Sequence, residues 1–484
     1  MIARPQHSEQ GPDEKKGLLG SSPLRFVKKS LAFTFTPPER TEPPPFPKLK
    51  LCILFLLALC LRWAFYNANG ALLLPDSWGR YLPIGQDLFG RWSGTQFDTP
   101  GYPAFLGSVE SLFGLEPGLF LAQGLLDACS VVMIAGTARY FGLRKGAFLL
   151  GLFFALYPGQ ILMANAALSE PLYTFFLVAS IRLLATVRSH SSWRKFLGLG
   201  LLVSPIPLIR ANGVLAVAVL ATLVLLAGLH QRKYAAVTVF FLAAATPTVG
   251  WVSINTTRFH IPAIAQGGGW QWLQNMAYFN LIDPKTLPEE EVPLYRDWTS
   301  LSAMRARLSA DPDIPKEKLD AVFGDIAGHN ARREPVKYLA AIPRALLLPR
   351  AFIKDTTRAA TQPETWTGFA QTAAAAGYGY MVKPLDPDAL INIYFSVARR
   401  ITVIAGKYTL LILALFPAAV VAWRQKHVLT AAVIALPLSQ AIVLTLMLNP
   451  IERYYFPFES MMWLGFIFLI RAFQKTKGKF FTHP

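Results

Sequence analysis

Runs of roughly 17 to 25 apolar residues recur along this 484-residue chain, and a run of that length crosses a bilayer as a helix. The runs leave little room for a soluble fold. Of all residues 53% are hydrophobic and 16% charged, against about 25% charged in an average soluble protein. The sequence therefore reads as an all-α polytopic membrane protein.

Ten spans can be placed, at about Lys48 to Tyr66, Leu119 to Phe141, Gly146 to Met163, Pro171 to Val187, Phe196 to Ile209, Val214 to Leu229, Ala235 to Ile254, Val397 to Trp423, Val428 to Leu448 and Phe456 to Ile470. The fifth is interrupted by Pro205 and Pro207. An even number puts both termini on one side. The basic pairs Arg144-Lys145, Arg194-Lys195, Arg232-Lys233 and Arg424-Lys426 then all fall on the side of the tails, as cytoplasmic loops require. A reporter fused after Asn330 is expected to score as external; a cytoplasmic score contradicts this topology.

The divisions follow. Residues 1–47 are a polar, Pro-rich cytoplasmic tail with no cleavable signal, 48–254 an N-terminal transmembrane module with its first outer loop at 67–118, 255–396 a mostly α periplasmic and interfacial region, 397–471 a C-terminal transmembrane module and 472–484 a basic tail. Within the outer region, the sequence from Pro335 to Ile353 mixes apolar and basic residues, as a helix lying in the interface does.

The net charge of +18 does not point to nucleic acid. From Asn255 to Arg400 there are 17 Lys and Arg against 15 Asp and Glu. Most of the excess sits in tails and short connections, the positive-inside pattern. Cys52, Cys60 and Cys129 lie in apolar segments and read as small buried hydrophobes without a disulfide framework.

The chemistry concentrates on the outer side. The first outer loop holds Asp76, Asp87, Asp98 and Glu110 with Arg80 and Arg91, and charged groups at a membrane are costly unless paired or functional. Asp76, in Pro-Asp-Ser, precedes a helix-like stretch with Tyr81, Ile84 and Leu88, so a helix N-cap is the plain alternative to a catalytic role. Glu170 starts the next outer helix beside Pro171, where a carboxylate also suits the helix dipole. Two acids on one face are what a shared outward cavity needs. Arg210 and Arg453 stand at outer span ends, where an arginine either pairs with an acid or headgroup or grips a phosphate with two N–H groups. Arg80 is a further phosphate candidate. No His or Cys spacing forms a metal site, and Gly267-Gly268-Gly269 lacks the Gly-Lys-Ser/Thr of a phosphate loop. That leaves the three glycines as a turn or a close approach of backbone to ligand.

Several of these residues recur in a known order. Pro75-Asp76-Ser77, Tyr81, the run from Thr99 to Leu106 (TPGYPAFL), Tyr157-Pro158, Leu168-Ser169-Glu170-Pro171, Ile209-Arg210 with Gly213, the triple glycine and Glu452-Arg453-Tyr454 with Pro457 resemble GT-C glycosyltransferases. The likeness is greatest to the bacterial branch related to protein O-mannosyltransferases and aminoarabinose lipid A transferases, and it runs from Lys48 to the end.

The resemblance implies a sugar donor on a polyprenyl phosphate, and a lipid, glycan or protein acceptor at the periplasmic face of the bacterial inner membrane. It makes Asp76 and Glu170 the catalytic acids, and Arg80, Tyr81, Tyr102, Arg210, Arg453 and Tyr454 the substrate contacts. Relatives often carry two adjacent acids in the first loop; this chain has Asp76-Ser77, which weakens the case for a divalent metal, and no cofactor is expected. One base for the acceptor proton and cations for the leaving phosphate suffice, with inversion at the sugar. A transporter or lipid flippase is the rival from another class. It would show acids inside spans, broken helices and an inverted repeat, whereas the clear acids read as lying at span ends. A lipid-linked glycan polymerase or ligase is the second rival.

Overall fold

The computed structural model describes residues 46–480 apart from 75, 90–97, 141–142, 144–145, 188–191, 280, 283–307, 309, 311–313, 316–317, 348–361, 403–406, 425–427 and 447–454. Among the described residues the chain is helical, with two isolated β-bridges.

Helix α1 (Lys48–Asn69) is built from Leu, Ile, Phe, Ala and Cys with no Gly or Pro inside. It stops at Gly70, whose φ of 71° suits a residue without a Cβ. A π-helical turn (Ser77–Tyr81) runs into α2 (Leu82–Phe89), followed by α3 (Gly101–Phe113) and α4 (Leu115–Tyr140). The expected third span is bent instead. Helices α5 (Gly146–Leu156) and α6 (Pro158–Ala164) meet at 55°, because Pro158 has no N–H to carry the ladder through. Next come α7 (Glu170–Leu184), α8 (Trp193–Val203), α9 (Ile206–Ile209), α10 (Gly213–His230) and α11 (Tyr234–Phe259).

Helices α1, α4 and α11 are long and apolar enough to cross a membrane, and the α5–α6 pair makes a fourth if it counts as one span. These mark the chain as a membrane protein. The remaining expected spans appear as shorter helices or as shorter apolar stretches of helix. The 15 residues of α7 rise only about 22 Å, less than a hydrocarbon core of about 30 Å. The expected eighth span is two helices, α16 (Leu390–Thr402) and α17 (Lys407–Arg424), and the last becomes α19 (Glu459–Phe480) after α18 (Val428–Leu446). Cys52 and Cys60 are exposed on α1 rather than buried, on a helix whose outward face is apolar.

One hydrophobic core joins α1 to α11 with α15 (Pro363–Ala375) and α16 to α19. Close approaches occur at small residues, as in membrane bundles. A Cβ on Gly151 would lie 2.7 Å from Leu54, and one on Gly200 the same distance from the Phe240 carbonyl. A second, smaller core unites α12 (Gly268–Tyr278), α13 (Leu319–Arg333) and α14 (Pro335–Leu347) through Trp270, Leu273 and Phe323. The triple glycine serves this second core. Gly267 has φ 114° at the start of α12, and a Cβ on Gly269 would sit 2.0 Å from the Asp320 carbonyl. The turn is as expected, and the close approach is to the backbone of another helix rather than to a ligand.

Candidate functional site

The first loop is zipped to two later segments. Leu72 and Ala166 form a parallel bridge. The Leu72 amide donates to Asn165 O at 2.9 Å, and the Ala167 amide donates to Leu72 O at 3.2 Å. The Ser77 hydroxyl donates to Ala167 O at 2.9 Å and accepts from the Leu74 amide at 3.1 Å. Ser77, and Asp76 next to it, are thereby fixed to the segment that leads into Glu170.

The Thr-Pro-Gly-Tyr-Pro segment docks on the turn before Arg210. The Thr99 hydroxyl donates to Ile209 O at 2.9 Å. A Cβ on Gly101 would come within 2.7 Å of Leu208 backbone atoms, so only glycine permits the contact. Gly101→Ala is expected to cost about 1–3 kcal/mol by overpacking backbone on backbone, read as a lower thermal midpoint in detergent. An unchanged midpoint contradicts the contact.

Asp76 precedes the π turn and makes no capping bond with its side chain; π turns are rare and often sit at functional sites. Its Oδ1 instead accepts from Arg80 Nη1 at 3.1 Å, one turn on. Arg80 is held from the other side by Asp98: Nε donates to Oδ2 at 2.8 Å, and Nη2 donates to Oδ1. Burial works against the guanidinium charge, yet the bonds to Asp98 and the charge of Asp76 outweigh it and raise its pKa above the ordinary arginine value. Asp76 remains 24% exposed and Arg80 35%.

Glu170 is the opposite case. It is fully buried, and Oε1 lies 2.7 Å from Nη1 of Arg210, itself 9% exposed. Two of the predicted site residues thus form one sealed ion pair between the start of α7 and the end of α9. Tyr102 is fully buried too; its hydroxyl donates to Gln123 Oε1 at 2.6 Å, and Gln123 Nε2 donates onward to Ala166 O at 2.7 Å. Burial, with Tyr81 and the charge of Glu170 beside it, keeps the Tyr102 phenol well above its usual pKa. Tyr81 packs edge-on against Tyr102, ring centroids 4.9 Å apart. Tyr102 therefore braces the loop junction, with its hydroxyl already engaged. Arg453, Tyr454 and Glu452 lie outside the described residues, as does Arg91.

The sequence reading missed two buried charge pairs. Arg62 on α1 meets Asp127 on α4 at 2.7 Å, and Lys407 on α17 meets Glu459 on α19 at 2.8 Å. Around the second, Lys407 donates to the Tyr157 hydroxyl and Tyr408 to Glu459 Oε2 at 2.9 Å. Asp127 lies well inside α4, which corrects the view that acids occur only at span ends. The available signal was a charge within each of two apolar runs. Among the described residues, no three His, Cys, Asp or Glu side chains group as a metal site would.

No family model matches the chain, and no curated protein does. Solved structures do. The chain is similar to ArnT from Cupriavidus metallidurans, solved in the apo state and bound to undecaprenyl phosphate, at 15% identity and a TM-score of 0.34, over 86% of this chain and 76% of that one. It is also similar to the archaeal oligosaccharyltransferase AglB from Archaeoglobus fulgidus, solved with an inhibitory peptide and a dolichol-phosphate, at 10% identity and a TM-score of 0.38, over 87% of this chain. The chain spans half the length of that oligosaccharyltransferase.

Proposed function

We propose that this chain is a GT-C-type membrane glycosyltransferase that moves a sugar from a polyprenyl phosphate to an acceptor hydroxyl or phosphate at the periplasmic face, with inversion. The observation that carries the reading is the contrast between the two acids. Glu170 is sealed against Arg210, while Asp76 is fixed by its loop, partly exposed and bonded to an arginine that it shares with Asp98. An acid held rigidly at an open surface is suited to take a proton from an acceptor. Arg80 holds the Asp76 carboxylate in place.

Glu170 and Arg210 then act by clamping the segments that carry Asp76. The cation for the leaving phosphate is assigned to Arg453 with Tyr454, from the order of motifs along the chain. The reading needs no divalent metal, since Ser77 spends its hydroxyl on backbone bonds where a second acid would be required. Chelation with EDTA is expected to leave transfer unchanged; loss of transfer that is restored by a divalent cation contradicts this.

Two hallmarks of a transporter are present, an acid inside a span and a bent helix. Both belong to one bonding network with no open carboxylate, because Asp127 is saturated by Arg62 and Gln160. The test of the donor class is a comparison of polyprenyl phosphate with the polyprenol of equal length, added to the purified protein. The phosphate alone is expected to raise the thermal midpoint, by about 2.7 kcal/mol of stabilisation at 100 times its dissociation constant. Equal effects of both lipids would count against a phosphate site.

A further inference from the structure

Arg62 is fully buried, and its guanidinium makes an unusual set of bonds. Beyond Asp127, Nη1 donates to Ala155 O at 2.6 Å and to Ala58 O at 3.2 Å, and Nη2 donates to Phe154 O at 3.2 Å. In an unbroken helix, Phe154 and Ala155 would accept from the amides of residues 158 and 159. Pro158 has no amide N–H, and the 55° bend turns the chain away at that point. The arginine therefore serves the two carbonyls at the bend. On its far side, Gln160 of α6 donates its side-chain amide to the second oxygen of Asp127. One network thus grips both arms of the bend.

The bend matters for what α6 delivers. Its end runs directly into Asn165, Ala166 and Ala167, which pair with Leu72 and receive the Ser77 hydroxyl. Asp76 stands immediately before Ser77. A fully buried ion pair is a poor device for stability alone, because well-packed apolar residues of similar volume commonly do as well or better. Here the pair has a directional task that apolar side chains cannot perform.

We propose that Arg62 and Asp127 are positioning residues for the reaction assigned above, fixing the α5–α6 bend and through it the location of Asp76. This inference rests on the glycosyltransferase reading for its kinetic part only. The test pairs hydrogen exchange with transfer kinetics on the full chain, using the apolar double variant Arg62→Met/Asp127→Leu. Exchange is expected to rise in residues 70–78 and 164–170, while the body of α1 and α4 stays protected. With a polyprenyl-phosphate-linked sugar as donor, kcat is expected to fall on the order of 100-fold, the scale of a 1 Å misplacement, with KM little changed.

A second variant, Gln160→Leu, leaves the ion pair and removes only the tether to α6. It should show the same local rise in exchange and a smaller loss of kcat. Native exchange in both segments for both variants overturns the proposal. So does protection lost evenly across the bundle in both, which is what a purely structural pair predicts. If the wild-type protein transfers no sugar from any polyprenyl-phosphate donor, the functional reading fails, and the exchange experiment still decides whether the pair sets the bend.

Discussion

Asp76→Asn is expected to abolish sugar transfer while leaving expression, membrane insertion and thermal midpoint at wild-type values. The amide is nearly isosteric and still accepts the bond from Arg80 Nη1, which lies 3.1 Å from Oδ1, so the loop keeps its shape. What disappears is the capacity to take a proton from the acceptor. General-base catalysis contributes typically 10²–10⁴-fold, and a loss of that size in kcat with the donor still bound is the expected readout. Arg80 is retained by Asp98, so the variant does not release the arginine. A wild-type rate in Asp76→Asn would remove Asp76 from the chemistry.

Glu170→Ala is expected to behave in the opposite way, losing stability and activity together. The substitution strips a largely buried arginine of the carboxylate 2.7 Å away. Leaving one half of a buried pair costs about 3–5 kcal/mol, a large share of the roughly 5–15 kcal/mol that holds a folded domain. Three controls separate clamp from catalyst. Arg210→Ala should match Glu170→Ala. The apolar pair Glu170→Leu/Arg210→Met should recover much of the thermal midpoint. Glu170→Gln, which keeps an acceptor for Arg210, should retain the fold and measurable transfer. A Glu170→Gln protein with wild-type stability and no transfer would instead make Glu170 catalytic.

The apolar runs were legible because their composition and length decide helix formation in a membrane almost alone. Their ends were less so. The run from Gly146 to Met163 contains Pro158, yet whether a proline bends a helix by 55° depends on who satisfies the freed carbonyls, and here that is Arg62 from another helix. Asp76, Glu170 and Arg210 were each visible as charges at helix ends. That Glu170 and Arg210 neutralise one another was not, since the contact spans α7 and α9. The Thr-Pro-Gly-Tyr-Pro motif was readable as a motif. Its role as a docking surface depends on the 2.7 Å approach of Gly101 to Leu208, which no local pattern encodes. Lys407 was hidden for a related reason. It falls inside the run taken as one span, from Val397 to Trp423, whereas the structure places it at the start of α17, 2.8 Å from Glu459.

The most direct test of the central claim is a mass-spectrometric comparison of envelope glycolipids and glycoproteins from cells that lack the gene, cells complemented with the wild-type gene and cells complemented with Asp76→Asn. The predicted result is loss of one sugar residue from a defined acceptor, restored by the wild-type gene and not by the variant, with the unused polyprenyl-phosphate sugar accumulating. Identical glycan profiles in all three, or full restoration by Asp76→Asn, would contradict it.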